Sequence, residues 1–316
     1  MRIVVLDRDS LGKDTPLDGL FELGEVIVYP STTPSQILER IADAEVVVLN
    51  KVKIDRRIIE ESPKLKLICI FATGYDSIDV IAAKKNNIAV CNVPGYSTDS
   101  VTLFTITNVL SLITHLREYN DYVTSGAYSD SGKANKLEPV YHEIKGKTWG
   151  IIGCGNIGKA VARVAESFGA KVIVNKRTYD ERYSCTDLET LCKESDIITI
   201  HCPLNDQTRN MINEKTISLM KKDVIIVNEA RGAVVNDEAI VDAVLNNRIG
   251  AFGSDVYTIE PFGEEHVFSK IMKLPNVLLT PHAAWGAYES RVRCIDIICT
   301  NIKSFMNGEK QNRVDI

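Results

Sequence analysis

Several features are missing from this sequence, and each absence removes a class of protein. No apolar run approaches the ~18–20 residues that a membrane-spanning helix needs, so we expect no membrane association. No basic stripe is present and the net charge is −5, so we expect no nucleic-acid partner. Internal repeats and low-complexity tracts are also missing. With 316 residues and ordinary apolar and charged fractions, the chain is predicted to form two globular domains.

The cysteines do not form a Cys-x-x-Cys pair, although there are eight of them. Several lie inside apolar runs, so we interpret them as reduced thiols of a cytoplasmic protein and expect no metal. A structural zinc site or a disulfide framework is the alternative. The first seven residues hold an uninterrupted run of only four apolar residues before an acid. A secretory signal needs an apolar stretch of about 7–15 residues, so this segment is predicted to be a first strand.

Short apolar runs alternate with helical patterns along most of the chain. The first series of strand-like runs covers residues 3–6, 26–29, 46–49, 67–70 and 88–91, with helix-like segments such as 34–43 and 79–86 between them. A second series begins after residue 146, with runs at 149–152, 172–174, 197–200, 224–227, 251–254 and 277–279. Continuous apolar strands separated by helices indicate parallel sheets covered on both faces. The sequence therefore predicts an α/β fold with two doubly wound, parallel-sheet domains.

Two predicted helices are long enough to cross between these domains. The first covers residues 100–123, and its apolar arc is wider than one buried face needs. It is either enclosed within the chain or in contact with a second subunit, and we expect the subunit contact and hence a homodimer. The second covers residues 288–306 and ends at Gly308, a typical C-terminal stop.

A glycine-rich turn opens the second series. Residues 149–153 end a strand and residues 156–163 begin a helix, which is the context of a dinucleotide-binding fingerprint. Gly153 is expected to make the tight turn, Gly155 to admit a pyrophosphate, and Gly158 to let the helix pack against the strand. The helix N-terminus would offer amides to the phosphate. A purely structural glycine turn is the alternative.

The next strand ends near Asn175, where many dinucleotide-binding proteins carry an acid about 20 residues after the turn. This chain has Lys176 and Arg177 instead. An acid would bind the ribose hydroxyls and repel a 2′-phosphate, whereas two cations would attract it. The predicted cofactor is NADP or NAD, with NADPH accepted well. A solvated basic strand end that pairs with nothing is the alternative.

Charged or titratable residues follow the later strands, at the sheet edge where open parallel sheets bind ligands. Arg231, Asp255 with Glu260, and His282 occur in three such segments. An arginine is suited to hold a carboxylate with two parallel hydrogen bonds. A histidine beside a carboxylate can carry a proton near neutral pH. Next to a nicotinamide, such a set would reduce a 2-oxo acid.

These residues lie in motifs that together resemble one family. The motifs are Gly153-x-Gly155-x-x-Gly158, His201-Cys-Pro-Leu-Asn, Asn228-x-Ala-Arg231-Gly232, Asp255-x(4)-Glu260-Pro261 and Pro281-His282-x-Ala. In this order they make the chain similar to the D-isomer-specific 2-hydroxyacid dehydrogenases over essentially its full length. Within that family it looks most like the glycerate dehydrogenase, or hydroxypyruvate reductase, group, through residues 50–52, 72–75, 92–98 and 282–285.

The resemblance implies a division of the fold. Residues 1–98 and 288–316 would form a flavodoxin-like substrate domain, and residues 99–287 a Rossmann dinucleotide-binding domain. The cleft would lie between the two, with hinges near residues 96–99 and 282–287.

The resemblance also implies residue roles. Arg231 would bind the substrate carboxylate, His282 would exchange a proton with the substrate oxygen, and Glu260 would orient His282. Asp255 would hold the nicotinamide carboxamide. The cofactor-binding set would be Gly153, Gly155, Asn156, Ile157, Gly158, Lys176, Arg177, His201, Cys202, Pro203, Thr208, Glu229, Ala230, Asp255 and His282. The substrate set would be Lys51, Thr73, Gly74, Tyr96, Arg231 and Trp285.

The implied activity is hydride transfer from NAD(P)H to hydroxypyruvate or glyoxylate, giving D-glycerate or glycolate. A dehydrogenase of D-lactate or another D-2-hydroxy acid is an alternative, and a nucleotide-sensing corepressor is a third reading. Glu260 argues against formate dehydrogenases, which have glutamine there, and the lack of a C-terminal regulatory extension disfavours a phosphoglycerate dehydrogenase.

Two features leave questions open. Glu229 adds a negative charge beside Arg231, where the family usually has a small or apolar residue. It either points away from Arg231 or disfavours doubly anionic substrates. Cys154 and Cys202 lie near the expected cofactor and raise the question of oxidant sensitivity.

Overall fold

The computed structural model describes residues 1–177 and 181–316. Within these residues the strands are β1 (Arg2–Val5), β2 (Glu25–Val28), β3 (Val46–Leu49), β4 (Leu67–Ile70), β5 (Ala89–Cys91), β6 (Thr148–Ile152), β7 (Lys171–Asn175), β8 (Ser184–Cys185), β9 (Ile197–Ile200), β10 (Ile225–Asn228), β11 (Ala251–Ser254) and β12 (Val277–Leu279). The α-helices are α1 (Asp18–Phe21), α2 (Ile37–Ile41), α3 (Arg56–Glu60), α4 (Val80–Lys85), α5 (Thr98–Ile113), α6 (Leu116–Thr124), α7 (Ala127–Ser131), α8 (Asn156–Ser167), α9 (Leu188–Glu194), α10 (Glu214–Ser218), α11 (Asp237–Leu245) and α12 (Tyr288–Met306). Short 3-10 helices cover Arg8–Leu11, Pro34–Gln36, Gly232–Val234 and Val267–Lys270.

The described residues divide into two compact units. Unit 1 comprises Met1–Ser97 and Trp285–Ile316, and unit 2 comprises Thr98–Ala284. The assignment of unit 1 to substrate binding stays a prediction.

Unit 1 is built on a parallel sheet with the order β2-β1-β3-β4-β5. This is the flavodoxin-like order, so the predicted fold class is confirmed for this unit. Successive residues of a strand face opposite sides, and β1 illustrates this. Ile3 and Val5 pack on the side of α12, while Val4 packs on the side of α2 and α3. Both faces are buried, which explains why the strands are continuously apolar.

Unit 2 is built on a parallel sheet whose order, over the described residues, is β12-β11-β10-β9-β6-β7-β8. Read from β8, this is the Rossmann order with one added strand, as predicted. Helices α5 and α8 cover one face. There Val161 of α8 belongs to the same apolar core as Trp149 of β6 and Val227 of β10. Helices α10 and α11 cover the other face. None of the helices that the structure describes is both long and apolar enough to cross a membrane.

One predicted helix is wrong in its extent. Residues 100–123 do not form one helix, because α5 ends at Ile113 and α6 begins at Leu116. His115, between them, lies in the left-handed region with φ of 51°, which an α-helix cannot contain. Helix α5 is largely buried, whereas α6 has no buried residue. The first therefore packs inside unit 2, and the second lies on its surface. The helix predicted at residues 288–306 is confirmed as α12.

Candidate active site

The predicted site residues of unit 2 follow neighbouring parallel strands. Gly153 comes directly after β6, His201 after β9, Glu229 after β10 and Asp255 after β11. These strands are hydrogen-bonded neighbours and run in the same direction. The loops that follow them therefore meet at one edge of the sheet, which is where open α/β sheets bind their ligands.

The glycine turn has the geometry that a dinucleotide requires. Gly153 has φ of 89°, and a Cβ there would lie 2.5 Å from the amide nitrogen of Cys202. A Cβ on Gly158 would lie 2.2 Å from the carbonyl oxygen of Gly153, so α8 packs tightly against the end of β6. Gly155 precedes α8 with open space at its Cβ position and without a side-chain cap for the helix. The first-turn amides of α8, at residues 156–158, can therefore bind a pyrophosphate.

The loop after β9 borders this turn. Both ring nitrogens of His201 are buried, and neither has a hydrogen-bond partner within the described residues. Burial lowers the pKa of His201 to about 3, so the ring is neutral. Thr208 closes the loop, because its hydroxyl donates to the carbonyl of Pro203 at 2.7 Å and accepts from the amide of Asn205 at 2.8 Å.

Two cysteines near this turn are enclosed. Cys154 is 4% exposed and Cys202 is 8% exposed. Burial also raises the pKa of the Cys202 thiol to about 11, which keeps it protonated at neutral pH. A buried thiol in this form reacts slowly with oxidants, so the geometry argues against redox sensitivity at Cys202.

The end of β7 carries the predicted selector of the cofactor. Asn175, the last residue of the strand, donates from its side-chain amide to the carbonyl of Thr186 at 3.0 Å. Lys176 is half-buried and Arg177 is exposed. Arg177 is thus open to a ligand from solvent, as a 2′-phosphate contact requires, but exposure fits a solvated strand end equally well.

The turn that carries Arg231 is held by Asn228. The side-chain amide of Asn228 donates to the Arg231 carbonyl at 3.0 Å, and its oxygen accepts from the Ala230 amide at 3.1 Å. The guanidinium of Arg231 donates to the Ala230 carbonyl at 2.8 Å. A Cβ on Gly232 would lie 2.0 Å from the carbonyl carbon of Tyr257, so this turn lies directly against the loop that leads to Glu260.

Glu260 and His282 form a close pair. One carboxylate oxygen of Glu260 lies 2.6 Å from Nδ1 of His282. The other oxygen accepts from the Tyr257 amide at 3.0 Å, which holds the carboxylate in place. The side chains of Glu260 and His282 are 30% and 28% exposed, so the pair is partly open to solvent. With Nδ1–H donated to Glu260, Nε2 is left to exchange a proton with a substrate.

Asp255 fixes the segment that carries His282. One of its oxygens accepts from the Thr280 hydroxyl at 2.7 Å and the Ala283 amide at 2.8 Å. The other accepts from the Ala284 amide at 2.8 Å. Asp255 is only 2% exposed, and its three partners flank His282 on both sides. Its role toward the nicotinamide carboxamide stays a prediction, beside this structural role.

Glu229 is buried at the end of β10 and hydrogen-bonded to α5. Its carboxyl is 8% exposed and accepts from the side-chain amide of Asn108, in α5, at 2.6 Å. Burial, and secondarily the charge of Asp255, raise the pKa of Glu229 to about 9, so it is a neutral acid at pH 7. Its orientation relative to Arg231 stays a prediction.

The predicted substrate residues of unit 1 follow its strands. The backbone amides of Asn50, Lys51 and Val52 donate to the Asp7 carboxylate at 2.9, 2.6 and 3.3 Å, which fixes the loop that bears Lys51. The Thr73 hydroxyl donates to the Val93 carbonyl at 2.8 Å, beside Gly74.

Tyr96 and Trp285 are placed together in the core of unit 1. Their rings meet edge to face, with centroids 6.2 Å apart. Tyr96 is 5% exposed. The contribution of these residues to substrate binding stays a prediction.

Comparison with known proteins matches this arrangement. Residues 106–284 match the family model "D-isomer specific 2-hydroxyacid dehydrogenase, NAD binding domain", which is more than half of the chain. The chain is 35% identical to a hydroxypyruvate reductase of Blautia hydrogenotrophica over 100% of both proteins. It is 34% identical to a glycerate dehydrogenase of Methylorubrum extorquens over 99% of both. Among solved structures, an acyclic imino acid reductase, Bsp5, in complex with NADPH and D-Arg superposes with a TM-score of 0.88 at 29% identity, covering 99% of this chain and 100% of that one.

The chain belongs to the D-isomer specific 2-hydroxyacid dehydrogenase family. As a member it is an NAD(P)-dependent oxidoreductase acting on the CH–OH group of its donor. The family match covers the glycine turn together with Arg231, Glu260 and His282. Gly155, with its open Cβ position, and the uncapped start of α8 fit the pyrophosphate of such a cofactor.

Several residues that shape the site of this dehydrogenase escaped the sequence reasoning. Asp7 holds the Lys51 loop, Thr280 anchors the His282 segment, and Asn108 pairs with Glu229. The structural role of Asn228 could have been predicted, since it opens the motif that contains Arg231 and asparagine side chains commonly hydrogen-bond to nearby backbone. The sequence also gives a weak indication for Asn108, because it is a polar residue within an apolar helix.

Proposed function

We propose that this dehydrogenase reduces small hydroxylated or unsubstituted 2-oxo acids, with hydroxypyruvate and glyoxylate as the main substrates. The observation that carries the proposal is the 2.6 Å contact between Glu260 and His282 at the sheet edge that also bears Arg231. It is supported by the two relatives above, which are named as a hydroxypyruvate reductase and a glycerate dehydrogenase.

The residues divide the reaction between binding and proton transfer. Arg231 binds the substrate carboxylate and, through its charge, polarises the neighbouring 2-oxo group. Protonated His282 gives the proton at Nε2 to the substrate oxygen, and in the oxidative direction takes it back. Glu260 keeps the ring oriented and stabilises its charged form. Bound NADH or NADPH supplies the hydride to C2 of the substrate.

We infer that NADPH is accepted well and is the preferred reductant. Lys176 and Arg177 put two positive charges where the adenine ribose would lie, and a 2′-phosphate is recognised by such charges. A solvated strand end predicts instead that NADH is used at least as well as NADPH.

The experiment is a panel of 2-oxo acids, each measured with both reduced cofactors and ranked by kcat/KM. We expect hydroxypyruvate and glyoxylate to rank first and NADPH to exceed NADH. A bulky apolar oxo acid or pyruvate ranking clearly first would replace the proposed substrate by that of another D-2-hydroxy acid dehydrogenase. Absence of turnover with all acids, together with nucleotide-dependent association, would favour a corepressor.

The variant His282→Ala tests the assigned proton donor within this panel. We expect turnover to fall by about 10²–10⁴, the usual contribution of general acid–base catalysis, while the cofactor still binds. The matched control is His142→Ala, because His142 is exposed and far from these motifs in the chain. Near wild-type turnover in His282→Ala would show that another group delivers the proton.

We also infer a homodimer formed through unit 2. Several large apolar side chains between residues 103 and 141 are exposed in the single chain, a pattern typical of a subunit contact. They are Leu103, Leu116, Val123, Leu137, Val140 and Tyr141, each more than half exposed. Light scattering of the purified enzyme measures this directly. We expect Leu103→Asp with Leu116→Asp to yield monomers, and a wild-type monomer at micromolar concentration would contradict the inference.

We place the enzyme in the cytoplasm. The support is that its eight cysteines are thiols in the structure, seven of them buried and one partly buried, as in proteins of a reducing compartment. Fractionation of the source cells, with activity measured in each fraction, tests this.

A further inference from the structure

The acid at position 229 is hydrogen-bonded to helix α5. Its carboxyl accepts a hydrogen bond from Asn108 at 2.6 Å, across 121 positions of the chain. Asn108 is 2% exposed and Glu229 is 8% exposed, so this polar pair lies inside the layer between α5 and the sheet. A buried pair of this kind fixes one relative position of the elements that it joins. Here it ties the turn that carries Arg231 to α5.

The second oxygen of this carboxyl is buried and has no hydrogen-bond partner in the part of the chain that the structure describes. An ionised carboxylate would need several donors in such a place, whereas the described partners supply one. A neutral acid needs fewer. The geometry therefore favours the protonated form of Glu229.

Asp255 is the charged neighbour of this acid. Glu229 and Asp255 are the first residues after β10 and β11, whose last residues, Asn228 and Ser254, are paired in register. The amide of Asp255 donates to the Asn228 carbonyl at 3.1 Å. Among the described residues Glu229 also acts weakly on the phenol of Tyr257, whose pKa is raised chiefly by burial. Within the part of the chain that the structure describes, the groups that act on Glu229 are the charge of Asp255 and the side-chain amide of Asn108.

We propose that Glu229 is a positioning residue that works as the neutral acid, holding the Arg231 turn against α5 and leaving Asp255 as the charged member of this pair of strand-end acids. The inference rests on the proposed function, since it concerns the geometry of the same site. Ionisation of Glu229 would place two buried negative charges at adjacent strand ends. Their repulsion would disturb Asp255, which holds the segment around His282 through three hydrogen bonds.

The oxidation activity should therefore decline at alkaline pH for a reason other than the protonation state of His282. In the oxidative direction His282 must be neutral to accept the proton, so alkaline conditions do not remove its working form. Loss of oxidation at high pH must then have another source. Since the pKa of Glu229 is raised to about 9, its ionisation falls within the measurable range.

The test is the pH profile of kcat/KM for oxidation of D-glycerate between pH 7.5 and 10.5, in three proteins. We expect wild type to lose activity by about tenfold per pH unit above its midpoint near pH 9, as for one ionisation. Glu229→Gln, which keeps the shape and the bond to Asn108 without a titrating group, should begin its decline at least one pH unit higher when each profile is scaled to its own value at pH 7.5. Glu166→Gln, an exposed change on α8, should follow wild type. The same decline in wild type and Glu229→Gln would overturn the proposal.

A second variant tests the partner. The Asn108 hydrogen bond lowers the pKa of Glu229, so Asn108→Leu should move the alkaline decline to higher pH. A decline that stays in place in Asn108→Leu would contradict the assignment to Glu229. If the enzyme oxidised none of the hydroxy acids and reduced none of the oxo acids, the proposed function would fail. The inference about Glu229 would then be judged by the pH dependence of unfolding in wild type and Glu229→Gln, which needs no turnover.

Discussion

At the scale of single residues, burial decides what the charged groups near this site can do. Glu260 and Glu229 are both carboxyls at the same sheet edge, yet their surroundings differ. Glu260 is partly exposed and lies against His282, which lets it stabilise a positive charge. Glu229 is enclosed, with Asn108 as its hydrogen-bond donor, and is held as an acid. We therefore expect Glu260 to support proton transfer and Glu229 to support structure, although the sequence presents both as acids within the family motifs.

The buried acid makes stability depend on pH with a defined sign. The pKa of Glu229 is about 9 in the folded chain, against an ordinary value of 4.5. A raised folded-state pKa means that its contribution to stability is fully present below pH 4.5 and is lost as the pH rises toward 9. The largest slope is ~1.4 kcal/mol per pH unit. Urea unfolding of wild type and Glu229→Gln at pH 5, 7 and 9 should show the variant gaining relative stability at each step. A constant difference between the two proteins would mean that Glu229 is ionised in the fold.

Arg177 is the residue on which the choice of cofactor should depend. A charge-assisted hydrogen bond contributes ~1.5–3 kcal/mol, so Arg177→Ala should raise the KM for NADPH by roughly tenfold or more. The KM for NADH should change little, because NADH has no 2′-phosphate. Lys193→Ala, at an exposed position on α9, serves as a control for loss of a surface cation. Equal effects of Arg177→Ala on both cofactors would mean that Lys176 and Arg177 form a solvated strand end and do not select the cofactor.

At the scale of elements, two glycines of the turn are expected to have different roles, Gly158 in helix packing and Gly155 in cofactor binding. A Cβ at position 158 would collide with the Gly153 carbonyl, so Gly158→Ala must push α8 away from β6. Overpacking of this kind costs about 1–3 kcal/mol of stability. A Cβ at position 155 has no atom within 4 Å, so Gly155→Ala should fold with nearly wild-type stability. It would nevertheless occupy the space of the pyrophosphate and should weaken cofactor binding.

Thermal unfolding with and without NADPH distinguishes these two substitutions. Without the nucleotide, Gly158→Ala should unfold at a lower temperature and Gly155→Ala at about the wild-type temperature. With it, wild type should gain stability, because a ligand that binds the folded state raises its unfolding temperature. Gly155→Ala should gain much less. Full stabilisation of Gly155→Ala by NADPH would mean that the phosphates lie elsewhere.

At the scale of the whole molecule, the buried strands could be predicted from the sequence, whereas hydrogen bonds between side chains far apart in the chain could not. Buried parallel strands such as β3, β4 and β9 are continuously apolar, so their positions follow from the sequence. The break at His115 carries no glycine or proline, and β8 is only two residues long, so neither had a local signal. The bond between Asn108 and Glu229 depends on the packing of α5 against β10, which no local pattern contains.

The two units should differ in whether they fold alone. Both apolar cores of unit 2 consist of residues between Ile106 and Leu279, so this unit completes its own packing. One core of unit 1 instead depends on α12, which contributes Ile295, Ile298 and Ile302 from the far end of the chain. A fragment of residues 98–284 should therefore unfold cooperatively and bind NADPH. A fragment of residues 1–97 lacks half of the packing for β1 and β3 and should show no cooperative transition. Circular dichroism during heating, with nucleotide fluorescence for the longer fragment, measures both, and a cooperative transition in residues 1–97 would show that α12 is dispensable to that core.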